Sequence, residues 1–496
     1  MNFNLFYISP ELILAGGGIA ALAAGLGVRK WSKPGRIGLL SPEVVSLTVL
    51  MAALVPSVML LAMSSVLGVS QFGGVMAVDG LAIFFKMIAI VSTAIVAFLA
   101  IDYFKEIPFH RGEFYALLVF AALAIACLAA STDLIMIYLS LEFLSITSYI
   151  LAGYLKQDPK SNEAAVKYFL YGAISAAVMI YGMSMLYGLT GTTNILAISD
   201  ALRGVGENES SHHLLFLSTV LVLVGFGFKI AMVPFHQWAP DTYEGAPTPV
   251  TAFLSVGSKA AGFAVLVRVL STSITHDVFN WTPWIIALSG ITMTVGNLVA
   301  IPQLNIKRML AYSSIAQAGY LLLGVAAMAY SPLAVPAILL YVFIYLFMNL
   351  GAFAVVTILS ARLKSDDIRD YAGLMRRAPV AAVAMVIFLL SLAGIPPTAG
   401  FLAKFYLFAA AIQSGNTAVF WLTIVAIANT VVSVYYYMNV VRQMFFAEAK
   451  ETAPLIPSRP LNFAIGLTLA MTLVVLLYPQ PFIQMANRSA AMLAGM

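Results

Sequence analysis

An all-α membrane protein of about fourteen spanning helices is the fold class this sequence predicts, and three observations carry the prediction. Of the 496 residues, 61% are hydrophobic and only 9% charged, against about 25% charged in soluble domains. Apolar runs of about twenty residues, the length that crosses a bilayer, recur along nearly the whole chain. The runs are continuous and do not alternate in segments of about ten residues, which argues against a β-barrel.

In chain order, the first three spans lie near 10–28, 43–67 and 80–103 and form an N-terminal segment, 1–112. The first has no basic region ahead of it, so it reads as retained and not as a cleaved signal; its small-residue run AGGGIAALAAG is a packing surface. Pro56 kinks the second for packing. Five spans follow near 113–130, 133–154, 164–187, 214–233 and 248–270, and five more near 283–302, 307–328, 333–360, 379–411 and 417–443. A final span near 461–480 lies within a C-terminal segment, 444–496. The connection 190–213 is the longest polar stretch and reads as an ordered surface loop without chemistry.

Basic residues orient the bundle. Loops after odd-numbered spans hold nineteen of them: Arg29, Lys30, Lys33, Arg36, Lys105, Arg111, Lys156, Lys160, Lys167, Lys307, Arg308, Arg362, Lys364, Arg369, Arg376, Arg377, Arg442, Lys450 and Arg459. The other side holds only Arg203, Arg268 and Arg488, so odd loops face the cytoplasm and both termini face out. One missed helix would scramble so clean a division.

Four cations remain. Lys86 is expected to snorkel from the outer end of the third span. Lys229, Lys259 and Lys404 are expected deep, and Glu142 is the one acid placed deep with them. At 1.5 Å per residue, Lys259 lies roughly 15 Å into its helix and Glu142 roughly 13 Å, both near the midplane. Each central charge costs about 2.5–3.5 kcal/mol. A single such lysine could be half of a static packing pair; four buried charges together point to an ion path.

Lys229 precedes Pro234, and Lys404 follows Pro396–Pro397. A proline frees a backbone carbonyl, and exposed backbone inside a membrane is tolerated only when buried in protein or lining a hydrated cavity. The broken helices are the seventh and the twelfth, five apart. Five being odd, the repeats 113–270 and 283–443 must be inverted, the architecture of ion-translocating transporters.

Lysine titrates near 10.4 in water, and burial lowers a lysine by up to about five units while a nearby carboxylate opposes the shift. If Glu142 approaches Lys229 in one state and withdraws in another, the lysine holds its proton in the first and yields it in the second, with Lys259 and Lys404 as further stops. His236, in the first break, is a possible relay, although a hydrogen-bonded structural histidine is the plainer reading. Tyr312, Ser313, Ser314 and Gln317 on the tenth span could hold water between the halves, or simply glue that helix to a neighbour.

The cations are dispersed at membrane borders, so the net charge of +5 does not suggest nucleic acid. A single cysteine, Cys127, permits no disulfide within the chain, no iron–sulfur ligation and no CxxC zinc site, and no metal site is expected.

The stretches GFGFKIAMVPFHQWAPDTYEGAPTPVTAFLSVGSKAAGFAVLVR, NIKRMLAYSSIAQAGY, DIRDYAGL, GIPPTAGFLAKFYLF and SLEFLSITSYILAGYLKQDPKSNEAAVKYFLYGAISAAVMIYG resemble the antiporter-like membrane subunits of respiratory complex I over nearly the whole chain. Lys404 stands where the family's subunit M carries a glutamate, and the chain lacks the long lateral helix of subunit L, so the resemblance is to the subunit N branch. It implies a proton-translocating module with Glu142 and Lys229 as a coupled pair, Lys259 as the connecting lysine and Lys404 as the terminal one. It also implies no cofactor in this chain; quinone, NADH or ferredoxin, FMN and Fe–S clusters belong to partner subunits. The implied neighbours are subunit M-like and K-like membrane-arm chains and membrane lipids, in a bacterial inner membrane. A multisubunit cation/proton antiporter subunit is one alternative, and a non-pumping scaffold whose buried charges only hold helices together is another.

Overall fold

A computed structural model of the chain describes residues 4–31, 40–63, 69–104, 111–205, 209–448, 453–491 and 493. The spanning helices in order are α1 (Ser9–Trp31), α2 (Pro42–Ala62), α3 (Gly80–Tyr103), α4 (Arg111–Ala130), α5 (Leu134–Ala152) and α6 (Pro159–Thr190). A short helix, α7 (Ile195–Val205), leads to the interrupted pair α8 (Glu209–Ile230) and α9 (Trp238–Gly245). Then come the span α10 (Thr248–Thr272), α11 (Thr282–Ala300), α12 (Ile306–Ala327) and α13 (Ala334–Leu363). A second interrupted pair, α14 (Pro379–Ala393) and α15 (Ala399–Gln413), precedes α16 (Thr417–Phe446), α17 (Arg459–Leu477) and the short α18 (Gln480–Ala491).

Thirteen helices among the described residues are long and apolar enough to cross a membrane. The fourteenth expected span is the pair α14 and α15, each too short alone. The chain is therefore an all-α, multi-pass integral membrane protein. Its one sheet among the described residues is a hairpin of β1 (Val69–Gln71) and β2 (Met76–Val78), with Val69 opposite Val78. Gly73 and Gly74 supply the left-handed backbone of its turn (φ 70° and 97°).

Helix starts follow local chemistry. Asp79, Asp133, Asp158, Asn305, Thr398 and Asn416 each cap a helix by accepting a bond from a backbone N–H of its first turn, groups that no intrahelical carbonyl reaches. The innermost elements are α10, buried throughout, and α12 and α13, buried over nearly their whole length. α13 packs against α3, α10, α14, α15 and α17, so it joins the N-terminal segment to both halves of the second interrupted pair. α2, α16 and α17 present mostly exposed apolar faces, as lipid-facing helices must.

Three expectations need correction. Residues 190–213 do not form only a loop: Ile195–Val205 is helical, with Ile195, Ile198 and Leu202 buried on one face. Lys86 does not snorkel; it is 1% exposed and paired with Glu11 at 2.5 Å. Neighbouring helices enclose the side chain and shut it off from the surface, and the carboxylate on α1 makes that burial tolerable. Arg268 is not an exposed loop cation either. It is fully buried on α10, bidentate to Asp79 at 2.7 and 2.8 Å, and also donates to the Ala129 carbonyl. Glu142 is thus not the only acid inside. Lys33, Arg36, Lys105 and Lys450, counted for orientation, lie outside the described residues.

Candidate functional site: a buried polar axis

Both helix breaks resolve their freed backbone groups with side chains, and lysine does this directly at the second. α8 ends at Ile230, where Ala231 turns left-handed (φ 58°). The Phe228 carbonyl exposed there accepts the Trp238 indole N–H at 2.9 Å, and the Val233 N–H donates to Thr292 Oγ1 on α11 at 3.1 Å. α14 ends at Ala393, where Gly394 takes φ 80°. Its last carbonyls find partners from other helices: Gln317 Nε2 donates to Leu392 O at 3.0 Å and Lys404 Nζ to Ala393 O at 2.9 Å. A cation at a helix C-terminus meets the negative end of the helix dipole.

Lys229, Lys259 and Lys404 are 0%, 4% and 2% exposed, and all three bond to neutral groups. Lys229 donates to Ser145 Oγ of α5 at 3.2 Å. Lys259 follows a π turn in α10, Leu254–Ser258, a distortion frequent at functional positions. Its Nζ donates to Ser314 Oγ of α12 at 2.7 Å, where Tyr345 of α13 donates too, at 2.9 Å. Lys404 reaches Thr430 Oγ1 on α16 at 3.4 Å, and its Nζ lies 4.4 Å from the Tyr320 ring centre. Among the described residues, none of these three lysines has a carboxylate within salt-bridge distance.

Glu142 is half-buried, with Oε1 enclosed and without a hydrogen-bond partner. It does not bond to Lys229, although the two charges are within electrostatic reach. Ser145, one helical turn on, holds the ammonium instead. On α10, Gly262 lies one turn beyond Lys259, and a Cβ there would stand 3.3 Å from Lys229 Cβ. The Lys229 stem therefore runs over the helix that carries Lys259.

From Lys259 the axis continues along α12. Gln317, one turn after Ser314, accepts from the Tyr341 hydroxyl and donates to Leu392 O, the carbonyl next to the one Lys404 holds. Ser313 bonds Tyr437 of α16 at 2.5 Å. Past Lys404, Asn297 Nδ2 donates to Tyr320 OH at 3.1 Å and to Asn429 Oδ1 at 3.2 Å, and Tyr436 donates to Asn297 Oδ1 at 2.9 Å.

His236 sits half-buried in the first break, beside the Pro234 backbone and within electrostatic reach of Lys259. Tyr312 is half-buried one turn beyond Arg308 and makes none of these bonds. Ser145, Tyr345, Thr430, Asn297 and Asn429 were not singled out from the sequence. Ser145 was findable as the hydroxyl one turn from Glu142, and the two asparagines as amides inside apolar spans. No group of three or more His, Cys, Asp or Glu among the described residues could hold a metal ion.

At the basic face, a cleft of about 720 Å³ opens between Asp102, Asp158, Glu244, Lys307 and Asp366. From it Thr248, Thr251 and Ser255 lead up one face of α10 toward Lys259, and Asn349 donates to Ser255 Oγ at 2.7 Å. Beside the cleft, Asp241 of α9 accepts from Lys167 of α6 at 2.8 Å and from Arg308 of α12 at 2.6 Å. Burial opposes ionisation of Asp241, but these two cations hold its carboxyl below the usual carboxylate range.

A bundle of this length, with two broken helices and lysines buried beside or near them, defines an antiporter-like membrane chain. Residues 131–432 match the family described as NADH:quinone oxidoreductase/Mrp antiporter, transmembrane. The chain belongs, within that family, with NADH-quinone oxidoreductase subunit N. It is 43% identical to the protein of that name from Heliobacterium modesticaldum over 99% of both chains, and 43% identical to that from Moorella thermoacetica over 98% of both. Among solved structures it resembles a chain of respiratory complex I from Thermus thermophilus with bound aureothin, at 30% identity, a TM-score of 0.79 and 96% and 98% coverage of the two chains. A chain of the Mrp complex from Dietzia shares the fold, with a TM-score of 0.83 at 20% identity over 98% and 96% of the chains.

Proposed function

We propose that this chain is a proton-translocating membrane-arm subunit of a complex I-type oxidoreductase, with protons moving along Glu142, Lys229, Lys259 and Lys404. Quinone reduction in neighbouring subunits drives the movement. The observation that carries this reading is the contrast between two kinds of buried cation. Lys86 and Arg268 are each paired with a carboxylate and act as static staples between helices. Lys229, Lys259 and Lys404 are equally buried but bond only to hydroxyls and carbonyls, so no counter-charge locks their protons in place.

In this reading 113–270 and 283–443 are inverted repeats, each a proton half-channel, flanked by the segments 1–112 and 444–496. The charged cleft faces the cytoplasm, both termini face out, and the hydroxyls of Thr248, Thr251 and Ser255 conduct protons from the cleft to Lys259. Glu142, half-buried at the rim of the bundle, gates Lys229 through Ser145 and receives the signal from an adjoining membrane subunit, M-like or K-like. The chain itself holds no redox group; NADH or ferredoxin, FMN, Fe–S clusters and quinone act in partner chains.

Replacing Glu142 by Gln tests the reading in inverted membrane vesicles carrying the whole complex. Proton uptake per quinone reduced should fall while Glu142→Asp retains most of it. Unchanged uptake in Glu142→Gln would count against the gate.

A further inference from the structure

We propose that Asp241 is a positioning residue that ties the broken helix to α6 and α12, so that proton transfer between Lys259 and Ser314 depends on this carboxylate. The inference rests on the proposed pumping function and adds a residue that the axis itself does not contain.

The geometry is specific. Asp241 spends its two oxygens on two different helices: Oδ2 accepts from Lys167 of α6 and Oδ1 from Arg308 of α12. Arg308 also reaches Glu244, one turn along α9, at 3.2 Å. Isolated surface ion pairs contribute little, but here one anion joins three elements through two charge-assisted bonds. What α9 carries inward makes the tether consequential. Trp238 stacks on Tyr168 at 4.3 Å, and Tyr243 lies with its ring centre 5.9 Å from Lys259 Nζ. On α12, Ser314 lies six residues beyond Arg308 and accepts the Lys259 proton donor. Lys259 thus sits between a ring on α9 and a hydroxyl on α12, and Asp241 with Arg308 sets the distance between those two helices.

The test uses the intact complex in vesicles, reading protons moved per quinone reduced. Asp241→Asn should lower that ratio about two- to thirtyfold, the range of coupling residues remote from a site, with quinone-linked electron transfer less affected. Asp241→Glu should restore it. Lys167→Gln and Arg308→Gln should each give a partial loss, and their double variant should match Asp241→Asn. A purely structural role would lower assembly and both activities together, and Asp241→Glu would not restore the ratio selectively; that result overturns the proposal. If Asp241→Asn does not assemble, wild-type ratios in the Lys167→Gln/Arg308→Gln double variant overturn it instead. Lys404→Ala run in parallel separates the two readings: loss of pumping there with a normal Asp241→Asn ratio sinks only this inference.

Discussion

The stem of Lys404 passes directly over Gly394: a Cβ at Gly394 would lie 2.7 Å from Lys404 Cδ and 3.4 Å from its Nζ. Gly394 also holds the left-handed backbone (φ 80°) that ends α14. The same residue thus terminates the helix and leaves room for the ammonium that takes its last carbonyl. Gly394→Ala should cost about 1–2 kcal/mol from backbone conformation alone and displace the lysine besides. A lowered melting temperature with reduced proton translocation is expected; wild-type behaviour in both would contradict the arrangement.

Gly262 does a similar service for Lys229. An added methyl would stand 2.6 Å from Ile230 Cγ2 and 3.3 Å from Lys229 Cβ. Overpacking of this kind costs about 1–3 kcal/mol, and proton translocation should fall with it. Gly290→Ala is the control, because its nearest neighbour is Leu422 Cδ1 at 3.4 Å; it should leave melting temperature and pumping near wild type.

The Arg268–Asp79 pair is fully buried. Arg268→Met strands a buried carboxylate and should destabilise by about 3–5 kcal/mol, whereas replacing both partners is far milder. The double variant Arg268→Met/Asp79→Asn keeps a capping side chain for the Ala82 N–H and should recover most of the loss. Thermal melts of the purified complex measure this; a double variant worse than Arg268→Met would contradict it.

Asp241 gives a pH signature outside the spanning helices. Its carboxyl is held below the usual range by Lys167 and Arg308. A depressed folded value means the stabilisation is complete above the unfolded pKa of about 3.9 and disappears as pH falls through the folded one. The melting-temperature gap between wild type and Asp241→Asn should stay constant from about pH 8 to 5 and close below about 4. A gap that widens on acidification would reverse the sign and refute the pairing.

Much of this architecture was legible from the residues. Apolar run length marks each span, and a proline inside such a run marks each break, so Lys229 and Lys404 could be placed beside broken backbone without coordinates. Partners distant in sequence were not legible. Lys86 reads as a snorkelling residue until α1 brings Glu11 against it, and Arg268 reads as a loop cation until Asp79, 189 residues away, closes on it. The helix Ile195–Val205 was hidden because it is far too short to span a bilayer and sits inside an otherwise polar connection. The serine that takes the Lys229 hydrogen bond one turn along from Glu142 was not legible either, because which of the two neighbouring groups meets the ammonium depends on how α5 and α8 pack.

The most direct measurement of the central claim is proton translocation by the complex carrying Lys404→Ala, read as quenching of a pH-sensitive dye in inverted vesicles at matched levels of assembled enzyme. If the buried, carboxylate-free lysines carry protons, the variant assembles and its translocation collapses. Full translocation by a normally assembled Lys404→Ala complex would show that these lysines only hold the helices together.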